Sequence, residues 1–443
     1  MVASRSHSRS PFGKSRMTTR NDSRIRSSAS MIEIENSAVD GMLHTIPPFP
    51  PELELLLCCG GPLTQAANED RMTRVVRGGI DWELVFKLAL WHRMLPLLYW
   101  NLTNPDRQDD SIDVPPATIN ALRAAYLRNV GLALRMAGDL IAILDRMGED
   151  GVLVVPYKGP VLSSRIYGHL GLRPSVDLDV VVKKEDLPRA RANLMALGYV
   201  PSVVLAGPNQ DFQVESRYSE RFERPNSVVE LHWAFTNKDV AFPLTLNEMG
   251  SRLTTHLVSG RMIPVFDLED TVLVLCVHGA KHGWAHMEWI CGVAELLHEE
   301  DTISWPDLLG RAIETKSLRR LLLGLCLAHD LFRAPLPENV KERIRRDGQI
   351  SALAGIVSSS LFDGKKNVEE LHTFGTLEHD LFHFRLGDHF HDSIRYLTYR
   401  MTTPSRPERW STIPIGSRSI KLHSFTRPFA VLVKLLPAIW RRF

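Results

Sequence analysis

Hydrophobic positions change their period twice along this 443-residue chain. Between residues 50 and 149 apolar side chains recur three and four apart, the spacing of helices with one buried stripe. "PPELELLLCCGG" stops at a glycine pair, "IDWELVFKLALWHRMLPLLYWNL" carries the same spacing, and the polar "DRQDDSIDVPP" interrupts it. From Pro116, "ATINALRAAYLRNVGLALRMAGDLIAILDRMGEDG" sustains the pattern for about eight turns and ends at Gly148 and Gly151, as a helix C-terminus does. The period then shortens. "VLVVPYKG" and "VDLDVVV" read as strands, "PVLSSRIYG" and "KKEDLPRARANLMALGY" as helices, and "FQVESRYSERF" with "NSVVELHWAF" as an antiparallel pair turning at Pro225 and Asn226. Helical spacing returns at "LEDTVLVLCVHGAKHGWAHMEWICGVAELL" and runs to about residue 400. The expected organisation is a tail at 1–40, a helical region at 41–149, an α/β core at 150–240, a helical domain at 241–400 and an extension with a final helix at 401–443.

Composition adds little to this picture. Hydrophobic content of 44% and charged content of 23% are ordinary for a soluble globular chain, and a net charge of +2 supplies no global field for nucleic acid or an anionic membrane. Cys58, Cys59, Cys276, Cys291 and Cys326 form no CxxC pair, and the neighbours Cys58 and Cys59 read as reduced core residues. No apolar run reaches the ~20 residues of a membrane span, so a cytoplasmic protein is expected. The ends differ. Residues 1–30 hold seven Lys or Arg, nine Ser and one acid, Asp22, which predicts disorder, and they lack the apolar stretch of a secretory signal. "RPFAVLVKLLPAIWRRF" at the other end reads as a helix docked on the body, with a membrane-surface helix as the alternative.

The chemistry lies in "RPSVDLDVVV". Asp177 and Asp179 are two apart in a strand and so project to one side, while Val176, Leu178, Val180, Val181 and Val182 read as buried on both faces. Two carboxylates at that spacing repel one another unless a cation sits between them, and oxygen-only donors suit Mg²⁺ (or Mn²⁺). Glu230 in "SVVELHW" offers a third carboxylate, with pairing to Arg217, Arg221 or Arg224 as the alternative. Gly159 sits at a strand-to-helix turn whose free amides can hold phosphate, flanked by Lys158 and Arg173. Lys158 can instead be a surface lysine and Arg173 an ion-pair partner of Asp177. His278, His282 and His286 fall four apart on one helix face, a zinc-compatible spacing without a fourth ligand. Lys281 and His282 can instead line a nucleotide or acceptor cleft. "LEHDLFHFRLGDHFHD" reads as a solvated helix.

Taken in order, "VLVVPYKGPVLSSRIYG", "RPSVDLDVVV", "LGY", "VVELHW" and "HGAKHGW" resemble the uncharacterised nucleotidyltransferase family of the DNA polymerase beta superfamily, with further likeness in "RYLTYRMTTP" and "RPFAVLVKL". The resemblance implies an α/β nucleotidyltransferase core with a mixed sheet between helical flanks. It implies metal-dependent transfer of a nucleotidyl group from an NTP such as ATP to a hydroxyl of a small-molecule, peptide or protein acceptor. Asp177, Asp179 and Glu230 would be the catalytic metal ligands; Lys158, Gly159, Arg173, Lys281 and His282 would meet the nucleotide. Some relatives are encoded beside peptide natural-product genes, which points to a tailoring role. Two departures stand out. Pro160 follows Gly159 where the superfamily places Ser or Gly, leaving Ser163 or Ser164 to substitute, and Gly292 stands where relatives often carry an acid. They motivate two alternatives, a nucleotide-binding module without catalysis and, through the His278 face, a zinc hydrolase.

Overall fold

In a computed structural model of the chain the described residues are 42–44, 49–61, 66–103, 112–202, 217–237, 240, 242–298, 302–362 and 377–402. The tail expected at 1–40, the "FQVES" end of the expected strand and the final helix after residue 402 lie outside them.

The N-terminal helices are α1 (Pro51–Gly60), α2 (Ala66–Arg77), α3 (Trp82–Trp91), α4 (Leu95–Thr103) and α5 (Pro116–Glu149). Asp81 caps α3 by accepting from the amides of Glu83 and Leu84, and Pro116 opens α5 where its missing N–H costs nothing. Leu122, Ala133, Met136, Leu140, Ile143 and Met147 form the buried stripe of α5, and its direction is lost at Gly151, whose φ is +65°. After it come β1 (Val155–Pro156), α6 (Gly159–Tyr167), β2 (Leu178–Val181), α7 (Leu187–Ala196), β3 (Val200–Pro201), β4 (Ser219–Arg224) and β5 (Ser227–His232). The sheet order is β1-β2-β5-β4-β3. β2 and β5 run parallel and the other pairs antiparallel, so the sheet is mixed.

Alternation divides the sheet into two faces. Leu178, Val180 and Val182 of the β2 segment, with Val229 and Leu231 of β5 and Phe222 of β4, pack on the α5 stripe and on Leu187, Ala190 and Leu194 of α7. Val155, Tyr157 and Val181 join a second core, formed with the N-terminal helices and the helices after residue 267. Asp179, Glu230 and His232 therefore point toward the helices of that second core.

Residues 246 onward begin with α8 (Leu246–Met249) and a hairpin, β6 (Thr254–Val258) and β7 (Arg261–Val265). Helical spacing did not foretell this hairpin; its Val258, Ile263 and Val265 pack with the sheet core. There follow α9 (Leu268–Lys281), α10 (Met287–Leu297), α11 (Trp305–Glu314), α12 (Leu318–Phe332), α13 (Glu338–Arg346), α14 (Gly348–Phe362), α15 (Leu377–Arg385) and α16 (Phe390–Thr402). No described helix is long and apolar enough to cross a membrane.

Local expectations need correcting. Val176 is 71% exposed, because β2 starts only at Leu178 and Val176 precedes it. The histidines at 278, 282 and 286 do not share one helix. α9 ends at Lys281, Gly283 and Trp284 take positive φ, and His286 caps α10. In 377–392 a solvated helix was expected, yet His383 and Asp392 are buried. Cys58 and Cys59 are free and buried, as expected, and so are Cys276, Cys291 and Cys326.

Candidate functional site

Parallel pairing places Asp179 beside Glu230, and the two-residue period puts His232 on the same face. The Nε2 atom of His232 lies 3.0 Å from Asp179 Oδ1 and 3.2 Å from Glu230 Oε2. Donor atoms of these three residues all fall within 4.8 Å of one another. Antiparallel pairing of β1 with β2 brings the segment after Pro156 to the same place. Lys158 Nζ is 3.2 Å from Asp179 Oδ1, and the Tyr157 hydroxyl stands 3.4 Å from that oxygen and 3.2 Å from His232 Nε2. Lys158 is thus a buried member of the cluster rather than a surface lysine.

Asp177 lies just outside the strand, half-buried. Desolvation, then the charges of Asp179 and Glu230, push its pKa up to about 6. Burial alone would also raise Asp179, but Lys158 and a hydrogen bond from His232 hold it well below the usual carboxylate range. A hydrogen bond between His232 and Glu230 leads the lowering of Glu230, and the two carboxylates raise His232 against its burial. In the absence of a divalent cation, then, Lys158 and His232 offset two of three carboxylates and the third resists ionisation. Hard oxygen donors in mutual repulsion, with one flank open to solvent at Glu230, fit a divalent ion.

Gly159 opens α6 with φ +66°, a conformation that suits glycine, at the edge of β2. Pro160 follows as the second residue of the helix and has no amide proton to offer. Ser163 and Ser164 do not face this corner. The Ser163 hydroxyl donates to the His169 carbonyl at 2.7 Å and accepts the Arg173 amide at 3.1 Å, while Ser164 Oγ is 3.0 Å from His256 Nε2. Arg173 is buried and ion-pairs with Glu288 on α10, not with Asp177. Glu288 sits one turn before Gly292 on that helix, and its carboxylate is engaged by Arg173. Arg221 is opposite Glu230 in register, but its guanidinium binds Glu223 at 2.6 Å, and Arg224 binds Asp139 at 2.6 Å.

On the other side of the cluster, Lys281 Nζ donates to the Tyr218 hydroxyl at 2.6 Å, and the Tyr218 ring lies 5.8 Å from that of His232. Burial and the neighbouring Glu230 push Tyr218 up to about 12. The rings of His278 and His282 lie 4.7 Å apart, tilted by 56°, and both flank Trp289. Burial, followed by the charge of Lys158, holds His278 neutral, well below the ordinary imidazole range. Lys281 and His282 thus reach the cluster by way of Tyr218 and His278. His286 instead offers Nδ1 to the Trp91 carbonyl at 2.8 Å, and the three histidines do not form a metal-compatible group among the described residues.

Another such group is His44, Cys326 and Asp330. Its Asp330 carboxylate accepts the amides of Leu43 and His44 at 2.8 and 3.2 Å and the His44 ring, which fixes residues 43–44 on α12. It reads as a tether.

Sequence reasoning missed His232, Tyr157, Tyr218 and Glu288. For His232 a signal existed: in "ELHW" it is two residues after Glu230, so the same alternation that selects the acid selects it. Nothing local marks the others.

No curated protein matches the sequence. Two solved structures resemble the chain. The solution structure of the antibiotic-resistance factor ANT(2'')-Ia shares 14% identity and a TM-score of 0.26 over 48% of this chain and 90% of that one. The crystal structure of ANT(2")-Ia in complex with adenylyl-2"-tobramycin shares 13% identity and a TM-score of 0.25 over 48% of this chain and 98% of that one. The family described as uncharacterised nucleotidyltransferase matches residues 78–333, more than half of the chain and all of the site above, and the chain belongs to that family.

Proposed function

We propose that this protein moves a nucleotidyl group from an NTP to a hydroxyl of a small-molecule, peptide or protein acceptor, with residues 150–240 as its nucleotidyltransferase core between the two helical regions. The observation that carries this reading is the meeting of Asp179, Glu230 and His232 beside the Gly159 corner, with Asp177 close enough to feel the charges of both carboxylates. Asp177, Asp179 and Glu230 would hold Mg²⁺ or Mn²⁺, which when bound supplies positive charge to a polyphosphate and acidifies an acceptor hydroxyl. The chain's own residues do the rest. Gly159 admits a phosphate close to the backbone, Lys158 lies within reach of the same oxygen-rich spot, and Tyr157 with His232 fixes the Asp179 carboxylate in place.

Calorimetric titration of ATP with Mg²⁺ tests the reading, wild type against the double variant Asp177→Ala, Asp179→Ala; equal binding removes the assignment. Transfer of labelled nucleotide across a panel of acceptors separates an enzyme from a nucleotide-binding module that has lost catalysis, a second reading favoured by the amide missing at Pro160. No observation supports the zinc hydrolase.

A pH dependence follows. The pKa of Asp177 is raised to about 6, so in the metal-free protein this group favours folding most below its unfolded pKa and loses that contribution as pH rises through 6. Metal binding has the opposite sign, because it requires the ionised form. Mn²⁺ affinity is expected to be flat above pH 7 and to fall about tenfold per unit below 6, measured by calorimetry. An affinity unchanged from pH 7.5 to 5 contradicts it.

A further inference from the structure

Arg93 occupies a place that favours glycine. It follows α3 with φ +60°, its amide bonds the Leu90 carbonyl at 3.2 Å, and the Met94 amide reaches back to Ala89 at 2.7 Å. That is the double hydrogen bond of a Schellman end, whose left-handed residue is usually glycine because a side chain strains there. The turn is also pinned. His92 accepts the Glu288 amide through its carbonyl at 3.3 Å and the Met287 amide through Nδ1 at 3.4 Å, and the Trp91 carbonyl faces His286 Nδ1. The arginine is thereby aimed across the start of α10, with its guanidinium 5.7 Å from the Trp289 ring centre.

Half-buried there, the guanidinium makes no hydrogen bond or ion pair among the described residues. Its burial depresses its basicity, and the charges of Glu288, Arg173 and Asp177 act on it there. Several side-chain donors around the glycine corner are committed, Lys158 to Asp179 among them. Pro160 has no amide proton, Ser163 holds a backbone carbonyl, Ser164 meets His256, and Arg173 is shared between Glu288 and Ser175. A guanidinium has five donors in a planar fork that matches phosphate oxygens.

We infer that Arg93, contributed by the N-terminal helices and seated on Trp289, is the oxyanion clamp for the polyphosphate of the nucleotide and replaces the donors that Pro160 removes. This rests on the nucleotidyl reading of the site, and the two are tested apart. Inorganic triphosphate without divalent cation, and ATP with Mg²⁺, are titrated by calorimetry into wild type, Arg93→Gly, Arg93→Lys and the Asp177→Ala, Asp179→Ala double variant. Arg93→Gly relieves the backbone, so its Tm is expected at or above that of the wild type while its affinity for triphosphate falls at least tenfold. Arg93→Lys keeps charge without the fork and recovers part of the affinity. The acidic double variant keeps or strengthens triphosphate binding while losing ATP with Mg²⁺. Triphosphate binding equal in wild type and Arg93→Gly, or absent from wild type, overturns the clamp. ATP binding indifferent to the acidic pair overturns the nucleotidyl reading instead.

Discussion

Replacing Asp179 with Asn is expected to lower divalent-metal affinity by more than the 10–100-fold typical of losing a supporting residue around a metal, and to lower stability by about 3 kcal/mol. Both follow from one carboxylate oxygen, which meets Lys158 at 3.2 Å and His232 at 3.0 Å. Asparagine keeps the shape but leaves Lys158 buried without its counter-charge and His232 with Glu230 alone, and removing one partner of a buried pair costs far more than removing both. The double variant Asp179→Asn, Lys158→Met is therefore expected to regain most of the lost stability and none of the metal affinity. Denaturant unfolding and Mn²⁺ calorimetry on the same three proteins check this. An Asp179→Asn protein that binds Mn²⁺ like wild type places the ion elsewhere.

Gly279→Ala is the other substitution with a large expected effect, although it lies away from the acids. A Cβ there would sit 2.5 and 2.6 Å from the Cε3 and Cη2 atoms of Trp284. The indole cannot retreat, since on its other side a Cβ on Gly324 would meet Cys276 Sγ at 2.5 Å and the indole at 2.9 Å, and Trp284 is fully buried. Nor can the backbone yield cheaply: Trp284 has φ +53°, and its amide closes the end of α9 on the Gly279 carbonyl at 2.8 Å. Overpacking of this kind costs about 2–3 kcal/mol. The turn it would shift carries Lys281 and His282, so nucleotide affinity is expected to fall with stability. Trp284→Leu makes room, and Gly279→Ala is expected to cost little when added to it, because contacting residues do not contribute independently. Urea titrations of the two single variants and the double resolve this; additive losses refute the wedge.

Both predictions show where local reading succeeds. The pairing of Asp179 with Glu230 was visible because strand alternation is a property of the backbone, and a polar residue inside a valine run has few places to point. The same rule would have selected His232. The rule failed at its edges. Val176 was assigned to a buried strand that begins two residues later, and three histidines at helical spacing were put on one helix although Gly283 and Trp284 turn the chain between them. A hydrophobic period cannot see a break whose cause is the burial of one indole between a nearby glycine, Gly279, and a distant one, Gly324.

By itself, then, the sequence determined the alternation of elements from Pro51 to Glu149 and onward through β5, the placing of Asp179 and Glu230 on one face of the sheet, and the glycine at the corner beside them. These depend on near neighbours along the chain: side-chain period, helix ends and the missing Cβ of Gly159. Tertiary structure alone decided which charges meet. Lys158 took Asp179, Arg173 took Glu288 from a helix more than a hundred residues away, Ser163 and Ser164 were drawn into unrelated contacts, and Arg93 was left with an unused fork on Trp289. Long side chains find partners across packed elements, and buried charge must be matched by whatever the fold brings near, so partner choice is written in the packing and not in any window of residues.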